Sequence, residues 1–119
     1  MTEIQNSKRF DLEDRTLNYT RSVSRYCKTL PKSVSHYEFG KQLVRSAGSV
    51  GANYIEANEA LSKKDFIMRV KICRKEAKER RYWLELTEPD QREFESRKKL
   101  IQESTELMKI FGAILEKSK

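Results

Sequence analysis

The sequence predicts an all-α protein, an antiparallel up-down-up-down four-helix bundle, and three observations predict it. Apolar residues recur at three- and four-residue steps in four successive stretches. No stretch alternates with period two, the mark of a half-buried strand. Four glycines and two prolines in 119 residues leave little turn chemistry for a sandwich or a barrel.

Each stretch opens on a capping side chain followed three residues later by an acid that suits the positive end of a helix. Asp11 with Asp14 opens the first, and Leu12, Tyr19, Val23, Tyr26 and Leu30 share its apolar face until Pro31 stops it. Ser35 with Glu38 opens the second, with Phe39, Leu43, Ala47, Val50 and Tyr54 as its face. Ser62 with Asp65 opens the third, carrying Phe66, Val70, Cys73, Ala77 and Leu84. Pro89 precedes the last cap, Asp90 with Glu93, ahead of Phe94, Ile101, Met108, Phe111 and Leu115. The second and third stretches, about 24 residues each, make rods of roughly 35 Å. Short connections set neighbouring helices antiparallel. Residues 1–119 read as one domain with one modest core, and residues 1–8 as a flexible leader.

Composition narrows the function classes. No apolar run approaches the roughly 18 residues of a membrane span, and MTEIQNSKRF has no apolar segment of a signal peptide, so the expected location is cytoplasmic. Cys27 and Cys73 lie far apart inside helical patterns and read as reduced, packed thiols. Lys and Arg number 25 against 18 Asp and Glu, a net charge of +7 that suits an acidic partner.

The stretch VGANYIEANEALSKKDF, Val50 to Phe66, poses the main puzzle, because Gly48 just before it and Gly51 within it fall inside a helical pattern that each weakens by about 1 kcal/mol relative to alanine. Ala47, Gly48, Gly51 and Ala52 form a strip of small residues that lets another backbone approach, with Tyr82 and Trp83 of the third helix expected to fill the space. The same residues carry a resemblance. LVRSAGSVGANYIEANEALSKKDF and KICRKEAKERRYWLEL resemble the signature of the bacterial four helix bundle protein family, known from reading frames in intervening sequences of large-subunit ribosomal RNA genes. They also resemble a related group, the accessory variability determinants of diversity-generating retroelements. The first element is Ser49, Val50, Gly51, Ala52, Asn53 and Glu56; the second is Lys75, Glu76, Ala77, Tyr82, Trp83 and Leu84. The resemblance spans essentially the whole chain and is strongest from Gly40 to Leu86, with departures at Ala57, where many members have Gly, and at Cys73, where they have Ala or Ser. It implies the bundle, a ring of five subunits and, from the retroelement relatives, a basic surface engaging reverse transcriptase and RNA.

A carboxylate beside an apolar face needs a partner, because a dry unpaired charge costs several kcal/mol. Asn53, Glu56, Lys75 and Glu76 are therefore expected to form a polar network joining the second and third helices, the alternative being a solvated pair. Lys64, Lys71, Arg74, Lys75, Lys78 and Arg81 gather on one broad side of the third helix, and Lys41 and Arg45 extend the charge onto the second. This is either a solvated face or a phosphate-led, sequence-tolerant site for RNA or DNA, with no exposed aromatic expected among the cations. No cofactor and no metal are expected. Glu56, Glu59, Glu76 and Glu79 have acid spacing without the Glu-x-x-His pairs of a di-iron bundle, and His36 is the one histidine. No recognisable motif surrounds either cysteine, and GSVG lies inside a helix, so no enzyme is expected. Tyr54, Tyr82, Trp83 and Phe111 are more aromatic surface than a slender core hides, which points to a homo-oligomer. The expected function is a non-enzymatic scaffold or accessory protein with a basic face for RNA or DNA; the alternative is a protein-binding adaptor.

Overall fold

Four long helices carry almost the whole chain in the computed structural model: α1 over Glu3–Thr29, α2 over Val34–Asn58, α3 over Lys63–Leu86 and α4 over Phe94–Lys117, with one 3-10 turn at Gln91–Glu93. The structure describes the backbone from residue 3 and side chains from residue 11 onward. Of the expected leader, residues 1–2 lie outside the described backbone and residues 3–10 outside the described side chains.

Two of the expected caps move. Asp11 sits inside α1, which is already helical from Glu3. Ser33, not Ser35, caps α2, its hydroxyl accepting from the His36 amide at 3.0 Å; Ser33 itself is extended and the chain is helical from Val34, which leaves Ser35 inside the first turn. Ser62 caps α3 as the sequence predicts, accepting from the Asp65 amide at 3.1 Å. Asp90 and Glu93 lead into α4 through the 3-10 turn, without a side-chain cap bond from either.

Contacts along the helices fix their direction. Gly51 meets Thr16, Thr20 donates to the Ala47 carbonyl and Gly40 meets Cys27, so each step up α1 is a step down α2. Val50 meets Cys73, and Arg45 meets Glu76 and Glu79, which sets α3 antiparallel to α2. Tyr19 meets Leu100, and Arg15 meets Glu103, so α4 runs antiparallel to α1. Packing is dense from α1 to α2 to α3 to α4 and sparse between α4 and α1.

The buried face matches the helical periodicity. Leu12, Tyr19, Val23 and Tyr26 of α1, with Leu30 just past its end, close over Leu43, Ala47, Val50, Tyr54 and Ala57 of α2, Val70, Cys73, Ala77 and Leu84 of α3, and Leu100, Leu107 and Phe111 of α4. Each large aliphatic among them stabilises the fold by about 1.5–3 kcal/mol through burial. Phe94 departs from the expectation. It stands half exposed at the mouth of α4, with the Arg97 guanidinium 5.8 Å from its ring centroid.

The small-residue strip is used differently from the expectation. A Cβ on Gly51 would lie 3.3 Å from Thr16 Oγ1 of α1, whereas one on Gly48 would meet nothing. The close approach is thus of α1, not α3, and Tyr82 and Trp83 do not fill it. Trp83 packs on Phe39, 6.0 Å between ring centroids, several turns from Gly48, while Tyr82 is exposed. Gly51→Leu should therefore destabilise the protein by about 1–3 kcal/mol through overpacking against Thr16. Adding Thr16→Ala should recover part of that loss in thermal denaturation, and an unchanged melting temperature in Gly51→Leu would contradict the packing.

Candidate nucleic-acid interface

α3 sorts its charges by side. Lys64, Lys71, Arg74, Lys75 and Lys78 are all exposed, and steps of three, four and seven residues keep them on one outer face. Lys71, Arg74, Lys75 and Lys78 enter no ion pair among the described residues. Glu76 and Glu79 are turned toward α2, where Arg45 bonds to the Glu79 carboxylate and comes within 3.5 Å of Glu76. Arg45 is thereby neutralised rather than added to the basic face. Lys41 lies 5.1 Å above the Tyr37 ring and 3.9 Å from Glu38.

Arg81 leans to the other seam, donating to Thr105 of α4 at 3.5 Å and approaching Glu85 at 3.8 Å. Lys98 and Lys109, both exposed, stand seven residues before and four after Thr105 and so share its side of α4. The sequence reading missed them, although their spacing to Thr105 is legible once α4 is placed beside Arg81.

The polar network between α2 and α3 forms on other residues than Glu56 and Lys75. Asn53 accepts from Arg69 Nη1 at 3.1 Å and donates to the Ser49 carbonyl at 2.9 Å. Glu76 stands apart from this pair and meets Arg45 of α2 instead. Glu56 and Lys75 are both exposed, and no ion pair joins them among the described residues. The cause is register: with Val50 opposite Cys73, Lys75 stands about eight residues, roughly 12 Å, along the axis from the level of Glu56.

One cation of α3 is in the core. Arg80 is 1% exposed, its guanidinium 3.9 Å from the Tyr19 ring centroid, and its Nε and Nη2 have no hydrogen-bond partner. The ring face supplies attraction that water would otherwise give. Tyr19 is held for this by its hydroxyl, which donates to the Leu100 carbonyl at 2.7 Å beside Ser104. Burial raises the Tyr19 pKa above the ordinary phenol value, the Arg80 charge opposing. On the neighbouring turn Arg15 forks onto Glu103 at 2.7 and 2.6 Å and reaches Glu106 at 3.0 Å, fastening the sparse α1–α4 seam.

The two cysteines and the histidine sit in settings that quiet them. Burial pushes the Cys27 thiol up to about 11 and the Cys73 thiol up to about 12, so both stay protonated at neutral pH. His36 Nδ1 meets the Pro31 carbonyl at 2.8 Å, and Nε2 accepts from the Glu88 amide at 3.0 Å; the ring ties the two loops at that end of the bundle. Among the described residues no three His, Cys, Asp or Glu side chains converge to hold a metal, and no helix is long and apolar enough to cross a membrane.

The 23S rRNA-intervening sequence protein family matches the chain over residues 8–113. This chain belongs to that family. A crystal structure of a protein of unknown function from the S23 ribosomal protein family of Bacteroides thetaiotaomicron is similar to it at 33% identity, over 92% of this chain and 98% of that one, with a TM-score of 0.77. No curated protein matches. The family membership agrees with the resemblance read from Ser49 to Glu56 and Lys75 to Leu84, and the solved relative carries it across the whole bundle.

The inward turn of Arg80 has a measurable consequence. Tyr19→Leu should cost more with Arg80 present than in Arg80→Met, because only the former leaves a buried guanidinium without its ring. A double-mutant cycle by urea denaturation should give a coupling of about 1–2 kcal/mol, and strict additivity would contradict the pairing.

Proposed function

We propose that this chain is a non-enzymatic, homo-oligomeric scaffold or accessory protein whose α3 face binds the phosphate backbone of RNA or DNA. The observation that carries the reading is the set Lys71, Arg74, Lys75 and Lys78: exposed, on one side of one helix, and unpaired among the described residues, while Glu76 and Glu79 are held by Arg45 of α2 and Glu85 by Arg81. Cations held solely as a solvated coat are ordinarily interspersed with acids. Membership of a family described by 23S rRNA intervening sequences fits a nucleic-acid setting. Where the gene lies beside a reverse transcriptase, that enzyme with its RNA is the partner we infer. The inferred location is the cytoplasm.

Assembly into a ring, with five subunits inferred, would gather these faces into one strongly positive surface and raise weak contacts by effective concentration. Support for self-association comes from the outward line of α2, where Tyr37, Val44, Ala52 and Ile55 are exposed and the missing Cβ of Gly48 leaves open space. The same apolar line favours the second reading, an adaptor that meets another protein and leaves nucleic acid alone.

Filter binding to mixed-sequence RNA separates the two readings. Four phosphate contacts per subunit give a slope of log affinity against log salt near −3 for a single strand, at about −0.7 per contact. Lys71→Glu with Lys78→Glu should weaken RNA and DNA alike without unfolding the protein, since exposed substitutions usually cost under about 0.5 kcal/mol. No retention of wild type, or equal retention of both proteins, gives the adaptor reading. Light scattering should return about five times the 14.1 kDa chain mass, and a mass of one chain rejects the ring.

A further inference from the structure

Tyr82 stands where the basic face ends. It follows Lys78 by four residues, Lys75 by seven and Lys71 by eleven, so its side chain leaves α3 on the side of those lysines. The residue is 57% exposed, and its hydroxyl has no hydrogen-bond partner among the described residues. An aromatic left this open on a cationic stripe presents most of its surface to solvent rather than to the core.

The ring is open but braced. Trp83 meets it edge-on, with centroids 5.3 Å apart and planes at 76°. Trp83 is itself half-buried against Phe39 at 6.0 Å, and its indole N–H donates to Glu79 at 3.3 Å, the carboxylate that Arg45 also holds. Phe39 in turn meets the His36 ring at 6.2 Å. Tyr82 is thus the outer member of an aromatic series anchored in the α2–α3 seam, and the loss of side-chain freedom on forming a flat contact with it is small.

We propose that Tyr82 is a stacking position for an unpaired base of single-stranded RNA or DNA whose phosphates follow Lys71, Lys75 and Lys78. This rests on the backbone-binding reading above and adds to it a preference for single strands. An aromatic platform at the end of a cationic track is the arrangement by which strand-binding proteins hold bases without reading their edges. A duplex keeps its bases stacked on each other and offers Tyr82 no free face, so the lysines alone would hold it.

The test compares wild type, Tyr82→Ala and Tyr82→Phe on a fluorescently labelled mixed-sequence RNA strand and on the same sequence as a full duplex, with thermal melting of each protein as a control. Tyr82→Ala should lose about 5- to 150-fold in affinity for the single strand, with its salt slope unchanged and its duplex affinity equal to wild type. Tyr82→Phe should bind as wild type does. Trp83, the one tryptophan of the chain, reports the contact without mutation, its emission changing with the single strand and not with the duplex. Equal single-strand affinity in wild type and Tyr82→Ala, or an equal loss on both forms, overturns the stacking position while leaving the lysine track in place. Failure of wild type to bind either form overturns both readings. If the change in Trp83 emission appears with an acidic protein and with no nucleic acid, the surface is a protein-docking one instead.

Discussion

A charge taken out of water must meet an opposite charge, a dipole or an aromatic face, and the arrangement of this bundle follows from how it meets that demand. The seams are closed by arginines reaching across helices: Arg15 to Glu103, Arg45 to Glu76 and Glu79, Arg69 to Asn53, and Arg80 onto the Tyr19 ring. Arginine suits these places because its planar fork can bond two acceptors or lie flat on a ring while its stem packs among apolar neighbours. Lysine takes the outside. The acids drawn into the seams are the ones that would otherwise have balanced α3, so the pairing that fastens the helices also leaves Lys71, Arg74, Lys75 and Lys78 uncompensated. Charge polarity of the face and cohesion of the core have one origin.

Much of the fold was legible because helical periodicity is local. The five apolar positions read on the first stretch are all buried, and on α2 the buried set runs through Leu43, Ala47, Val50 and Tyr54 as expected. The Ser62 cap was legible for the same reason, since a hydroxyl three residues ahead of an acid needs only its own neighbours. The family signature was legible too, and the family match and the solved relative agree with it.

What the sequence left open was register, which depends on how far one rod slides along the next. Periodicity places Asn53 and Glu56 near α3 and Lys75 near α2, yet says nothing of their heights. The structure matches Asn53 with Arg69 and Trp83 with Phe39, which separates Glu56 from Lys75 and leaves the Gly48 level to neither Tyr82 nor Trp83. Arg80 was unreadable for a second reason. In a run such as Cys73-Arg74-Lys75-Glu76-Ala77-Lys78-Glu79-Arg80-Arg81 the one inward cation differs from its neighbours only by facing Tyr19, a residue 61 positions away. Tyr82 was misplaced with it, expected in the core beside a glycine strip and found outside beside the lysines.

The central claim, proposed above, is that the outer face of α3 is where this chain would hold nucleic acid. Lysine footprinting by brief acetylation, read by mass spectrometry with and without mixed-sequence RNA at low salt, tests it position by position. Because the modification is scored on the folded wild type, no substitution can confuse binding with stability. The account predicts protection of Lys71, Lys75 and Lys78, with Lys28, Lys32 and Lys119 reacting as in the free protein. Protection spread evenly over all the exposed lysines, or confined to positions off α3, would contradict it.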